Sequence, residues 1–367
     1  MRGWSHEQTG ATYERAAALA ETGDDAGRRG IARGGLGLFH VNHGEIEQGR
    51  VLFAEVLAAA EARGDTEQTF LGHAFLAVAE FFLAKFASSL AHCERALVLY
   101  DSVPHQRLTQ DPQDPAAAME VHAALAHWFL GHPDTALARA REAVAIARRL
   151  DHPFSLAIAL FFESLLHCYR GDPGLQGECA TQVVALSEAQ GFPLYLGFGR
   201  AMHAIARVTD GDPGALAEIM DALALAAGTG NQTGAPGFML LVAGAQQAAG
   251  QLAAAQTTVA NGLAIAAATG QPVWDADLHR LDGELLLALG GAADEAAARF
   301  TRALDIAREY GARAYELRAA TSLARLWQQE GKRAAARDLL APVYAGFTEG
   351  FDTRDLQEAK TLLAALA

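Results

Sequence analysis

Two interleaved ladders of glycine, sharing one period, constrain what this chain can fold into. The first runs Gly44, Gly131, Gly171, Gly211, Gly250, Gly290 and Gly331, with steps of 40, 40, 39, 40 and 41 residues from Gly131 onward. The second runs Gly23, Gly64, Asp151, Gly191, Gly230, Gly270, Gly311 and Gly350 at the same spacing. Gly44 to Gly131 spans 87 residues, two periods plus a short insertion, with the missing turn expected near Lys85. Glycine suits the left-handed residue that ends a helix, and proline suits the first helical residue after it. Pro133, Pro173 and Pro213 follow one ladder, and Pro153, Pro193 and Pro272 follow the other. Two stops per period mean two helices per repeat. Between the stops apolar residues fall at helical spacing, as in Leu278, Leu281, Leu285, Leu286 and Leu289, and no β-alternating segment competes.

Seven positions before each glycine of the first ladder stand Gly37, Ala124, Ser164, Ala204, Ala243, Gly283 and Ala324. All are small, as a close crossing of paired helices requires. The sequence therefore predicts an all-α, tetratricopeptide-like α-solenoid of about eight helical hairpins with a C-terminal capping helix. The period exceeds the usual one of about 34 residues, so each helix should carry about one extra turn. The expected organisation is a single array over residues 1–367. A half repeat at 11–22 opens it, a second helix without its first, which suggests an array whose N-terminal part is absent. Repeats 1 and 2 follow over 28–102, as hairpins 28–64 and 66–102. A proline-containing insertion occupies 103–114. Repeats 3 to 8 fill 115–350, as hairpins 115–150, 154–191, 194–230, 237–270, 272–311 and 313–350. A capping helix at 353–365 ends it, with Asp352 as N-cap.

The formal net charge of −14 argues against a phosphate-backbone partner. Hydrophobic residues make up 51% of the chain and charged residues 20%, enough apolar material for a core. No apolar run reaches about 18 residues, so no membrane span is expected. The N-terminal segment lacks the apolar core of a signal peptide. Three sparse cysteines, Cys93, Cys168 and Cys179, suit a reducing cytoplasm. Residues 222–274 contain no Asp, Glu, Lys or Arg at all. The stretch reads either as a degenerate Ala/Gly/Gln-rich surface or as a partner or self-association surface carrying Gln247, Gln251, Gln256 and Asn261.

No catalytic constellation emerges. The only Gly-Lys pair, Gly331-Lys332, continues into Arg333 rather than Ser or Thr, and no complete GxSxG, GxGxxG or HExxH occurs. Among thirteen histidines, His92 abuts Cys93 and His167 abuts Cys168, but adjacent residues point to different helix faces. No metal site and no cofactor are expected. Four residues before the inter-helix glycines stand His40, His127, His167, Arg207, Gln246, Leu286 and Trp327. The first five are polar at a position usually filled by a large wedge. They read either as half-buried groups satisfied by backbone or as a polar ladder along the inner groove.

Residues 279–363, from HRLDGELLLALGG to DLQEAKTLL, closely resemble the C-terminal repeat region of bacterial adenylate/guanylate cyclase–ATPase fusion regulators. The segments SLAHCERALVLYD (89–101), TQDP (109–112) and LDHPFSLAIAL (150–160) are similar to the same region. In such proteins a cyclase domain and a nucleotide-binding ATPase domain precede helical repeats that act in sensing or interaction. Neither upstream domain is in this sequence, so neither activity carries over. The resemblance implies a regulatory array without transferable ligand residues.

The expected function is a non-enzymatic scaffold or regulatory module that binds a protein or peptide segment in a superhelical groove. The alternative is a peptide or small-molecule sensor domain of a bacterial signalling or transcriptional regulator. A closed polar pocket favours the sensor; a long open groove or an exposed apolar strip favours the scaffold.

Overall fold

The computed structural model describes residues 7–21, 25–100 and 113–367. Most of the expected insertion at 103–114, together with Thr22 and Gly23, lies outside them. Eighteen α-helices are present among the described residues, and no strand. A first helix, α1 (Glu7–Glu21), precedes eight antiparallel hairpins. These are α2 (Ala26–Asn42) with α3 (Ile46–Arg63), α4 (Thr66–Phe82) with α5 (Phe86–Tyr100), α6 (Pro115–Phe129) with α7 (Pro133–Arg149), and α8 (Pro153–Arg170) with α9 (Pro173–Gln190). There follow α10 (Pro193–Thr209) with α11 (Leu216–Ala227), α12 (Ala235–Ala248) with α13 (Leu252–Thr269), α14 (Asp275–Ala288) with α15 (Ala293–Glu309), and α16 (Arg313–Gln329) with α17 (Arg333–Ala345). Helix α18 (Arg354–Leu366) ends the array. Short 3-10 turns, Pro213–Ala215 and Pro272–Trp274, lead into α11 and α14.

The glycine ladders are the turns. Every described glycine of both ladders has positive φ, and Asp151 takes the left-handed conformation at its rung with φ 48°. The turn absent from the first ladder is supplied by Ala84, also left-handed with φ 56°, one residue before Lys85. Local chemistry then starts the next helix. At α9, Asp172 accepts a hydrogen bond from the Leu175 amide at 3.0 Å and Pro173 occupies the first turn. At α18 the N-cap residue is Thr353 rather than Asp352. Asp352 instead pairs with Arg170.

The seven small crossing residues are all buried. A Cβ on Gly37 would meet the Phe53 ring at 2.4 Å, and one on Gly283 the Phe300 ring at 2.7 Å. Ala204 is fully buried at the equivalent crossing. Ala204→Leu is expected to overpack it and cost about 1–3 kcal/mol in chemical denaturation. An unchanged midpoint would contradict the assigned crossing.

The two helices of a hairpin are not equivalent. Almost all of α6 is buried, whereas α7 buries only a stripe that includes Ala136, Ala140, Ala143, Val144 and Ala147. First helices thus form the inside of the superhelix and second helices its outer wall. The array also closes on itself after about five repeats. The Gln232 amide donates to the Asn42 carbonyl at 3.1 Å, joining repeat 6 to repeat 1. Phe82 packs against Trp274, and Phe129 meets Tyr315 edge-on at 5.0 Å. Helix α7 has no side-chain cap of its own at His132. Glu349 caps it from the far end of the array, accepting from the Asp134 and Thr135 amides at 3.0 and 2.9 Å. Arg170 bridges the same seam, bonding Asp134 at 2.9 Å and Asp352 at 2.8 Å.

Candidate functional site

Closure leaves one large hollow on the inner face, with a volume of about 510 Å³. Its walls come from α8 and the start of α9, from α10, α12, α14, α16 and α18. The volume lies within the range of ligand sites. Two chemically different walls line the hollow. Helix α12 supplies Leu240, Leu241, Gly244, Ala245, Gln247 and Ala248, all within the charge-free stretch. A Cβ built on Gly244 meets nothing within 4 Å, so the backbone there borders open space. Helices α14, α16 and α18 supply Asp277, Arg280, Glu284, Arg318, Ser322, Arg325, Arg354, Asp355 and Glu358.

The charged wall is built as a network. Asp277 is 2% exposed and accepts from two arginines, Arg280 on its own helix and Arg318 at 2.9 Å from the next repeat. Arg318 also donates to Asp355 at 2.6 Å and to the Tyr169 carbonyl at 3.1 Å. Arg280 pairs with Glu284 at 2.8 Å, and the Ser322 hydroxyl donates to the same carboxylate at 2.7 Å. Burial pushes the Asp277 carboxyl up, but Arg280 and Arg318 together outweigh it and hold the group below the usual carboxylate range. Burial likewise works against both guanidinium ions. Asp277 and Glu284 overcome it at Arg280, and Asp355 and Asp277 at Arg318, so both stay firmly charged. Farther out, Arg325 pairs with Glu358 at 3.2 Å with both side chains nearly half exposed. Such exposed pairs are weak and can exchange partners. The site therefore combines a fixed ionic floor, an adaptable ionic rim and an uncharged apolar wall. Such a lining suits a molecule with both polar and apolar groups.

The structure places the expected polar ladder elsewhere. None of His40, His127, His167, Arg207 and Gln246 lines the hollow. His40 bonds Glu45 in its own turn. Arg207 pairs with Asp212 at 2.6 Å and Glu218 at 2.8 Å, inside its own hairpin. His127 stands edge-on to His132, and its Nδ1 is buried without a hydrogen-bond partner. The Gln246 Oε1 and the His167 Nδ1 are buried in the same way. The neighbours Cys168 and Gln247, one residue further along, are the ones that face the hollow. Of the other residues singled out, Gln251 is exposed at the N-cap of α13, Asn261 is exposed on that helix and Gln256 is half-buried there. Arg280, Arg318, Asp277 and Asp355 were not singled out from the sequence; their only signal was a clustering of both charge signs on the first helices of the last two repeats and on the terminal helix.

No helix among the described residues is long and apolar enough to cross a membrane. No family model matches the chain. No curated protein matches it either. Solved structures do. A Rap protein complexed with Competence and Sporulation Factor is 14% identical, covering 100% of this chain and 96% of its own, with a TM-score of 0.63. The Rap conjugation gene regulator of the plasmid pLS20, in complex with the Phr* peptide, is 11% identical over 98% of each chain, with a TM-score of 0.58. The apo quorum sensor NprR from B. thuringiensis is 12% identical over 92% of each chain, with a TM-score of 0.53. At these identities the likeness is one of fold, and it extends over nearly the whole length: the chain is a tetratricopeptide-like α-solenoid.

Proposed function

We propose that this chain is a non-enzymatic, cytoplasmic regulatory module that senses an extended peptide, or a peptide segment of a protein, in its inner hollow. The observation that carries the reading is that an uncharged α12 wall and a buried ionic wall line one partly open space of about 510 Å³. A peptide presents apolar side chains, charges and backbone groups together, so it can use both walls. Arg318 supports a sensing role, because within the hollow it joins the last repeat to Tyr169 of the fourth across the superhelical seam. An occupant that engages Arg318 would bias the closure itself. A protein of similar fold, the Rap conjugation gene regulator of the plasmid pLS20, is in complex with the Phr* peptide. The resemblance of the last repeats to cyclase–ATPase fusion regulators also supports a regulatory role.

Gly244 provides the test. It lies on the wall with free space beyond it, so a large side chain there should fill the hollow and leave the packed core alone. A random peptide library displayed against the parent chain should enrich sequences that bind it. Gly244→Phe is expected to weaken those peptides by at least about tenfold, roughly 1.4 kcal/mol. Its stability should hold, since glycine in a helix interior is already unfavourable. Selected peptides that bind parent and Gly244→Phe equally would place binding elsewhere and refute the proposal.

A further inference from the structure

A second cluster lies inside the fourth hairpin, on the other side of α8 from the hollow. Glu163 and His167 are four residues apart on α8 and share a face. Cys179 reaches them from α9. One potential ligand atom from each residue lies within 4.8 Å of the other two. His167 is 3% exposed and Cys179 8% exposed. The Nδ1 of His167 is buried with no hydrogen-bond partner, which leaves a strong polar group unsatisfied. Cys179 is a free thiol, and none of the three residues lines the peptide hollow.

We infer that Glu163, His167 and Cys179 form a three-ligand site for a divalent transition-metal cation, with zinc the best chemical match. Mixed nitrogen, sulfur and oxygen donors suit Zn²⁺, whereas Mg²⁺ and Ca²⁺ prefer oxygen alone. Ordinary zinc bond lengths place tetrahedral donors about 3.5 Å apart. Side-chain rotation would draw the three atoms, all within 4.8 Å of one another, to that spacing. The charges also balance: Zn²⁺ with one thiolate and one carboxylate sums to zero, which makes burial tolerable. On binding, the thiol proton leaves to solvent, a metal–sulfur bond forms, and the imidazole binds neutral. Arg141 approaches one Glu163 oxygen at 3.7 Å, but its side chain is 59% exposed and can turn to water. Three protein donors leave the fourth position to water. This inference departs from the sequence expectation, which paired His167 with its off-face neighbour Cys168 and so found no site.

The test uses cobalt(II) as the probe on the full chain, after chelation of any bound metal. One equivalent should produce a cobalt–thiolate charge-transfer band that added Zn²⁺ abolishes. Cys179→Ser should lose the band while keeping its helical circular dichroism. Cys168→Ser should retain it, although that residue adjoins His167. Should Cys179→Ser fail to fold, His167→Gln serves in its place, with a weaker and shifted cobalt spectrum expected. No band in the parent, persistence of the band in Cys179→Ser, an unchanged spectrum in His167→Gln, or loss of the band in folded Cys168→Ser overturns the assignment. The peptide test at Gly244 is independent, so either reading can fail without the other.

Discussion

Arg318→Met is expected to destabilise the chain by about 3 kcal/mol at neutral pH, because it removes one partner from a buried ionic network. Methionine keeps most of the apolar stem, so the loss reports the charge rather than a cavity. Asp277, 2% exposed, then keeps only Arg280, and Asp355 loses its bond to Arg318. The Tyr169 carbonyl also loses its donor. The sign of the pH dependence follows from Asp277, whose carboxyl is held below its ordinary range. A depressed carboxylate contributes stability above its unfolded value near 3.9, and that contribution is lost as pH falls through the folded value. The gap between parent and variant should therefore be full at pH 7 and narrow below about pH 4. Denaturation curves at several pH values check this. Equal stability at pH 7 would show that the network contributes nothing.

Phe129→Ala is expected to cost about 3–5 kcal/mol, and its effect should appear at two places far apart in sequence. Phe129 is fully buried. Its ring stacks on Phe86 at 4.5 Å and meets Tyr315 edge-on at 5.0 Å. A simple solenoid transmits a lesion only to neighbouring repeats. Here repeat 8 packs directly on repeat 3, so amide protection should fall in α16 as well as in α6. Loss confined to repeats 2 to 4 would contradict closure of the superhelix. Tyr315→Phe is the matched control. The Tyr315 hydroxyl is buried without a hydrogen-bond partner, so removing it should be neutral or slightly stabilising.

The contrast between these sites shows what the sequence could reveal. The turns were readable because each depends on a residue or two: a left-handed glycine, a proline after it, a small residue seven positions before. Even the gap in the ladder was visible near Lys85, although the residue that fills it, Ala84, carries no turn signature of its own. Closure was not readable. Contacts such as Glu349 with the α7 terminus arise from a small rotation per repeat, summed over five repeats, and no single residue encodes it. The cavity wall was half visible. The charge-free stretch stood out at once, yet only the superhelix shows that its α12 part faces inward. Two residues of the polar ladder, His167 and Gln246, stand one position before residues that line the hollow. A step of one residue turns a helical side chain by about 100°, which moves the inner face from Gln246 to Gln247 and from His167 to Cys168.

An extended peptide in the inner hollow should touch both of its walls. Hydrogen exchange of the parent chain, with and without a library-selected peptide, tests it most directly. Bound peptide should increase protection together in α12, which carries Gly244, and in α16 and α18, which carry Arg318 and Asp355. Protection confined to outer-wall helices such as α7 or α13, with α12 and α16 unchanged, would contradict it.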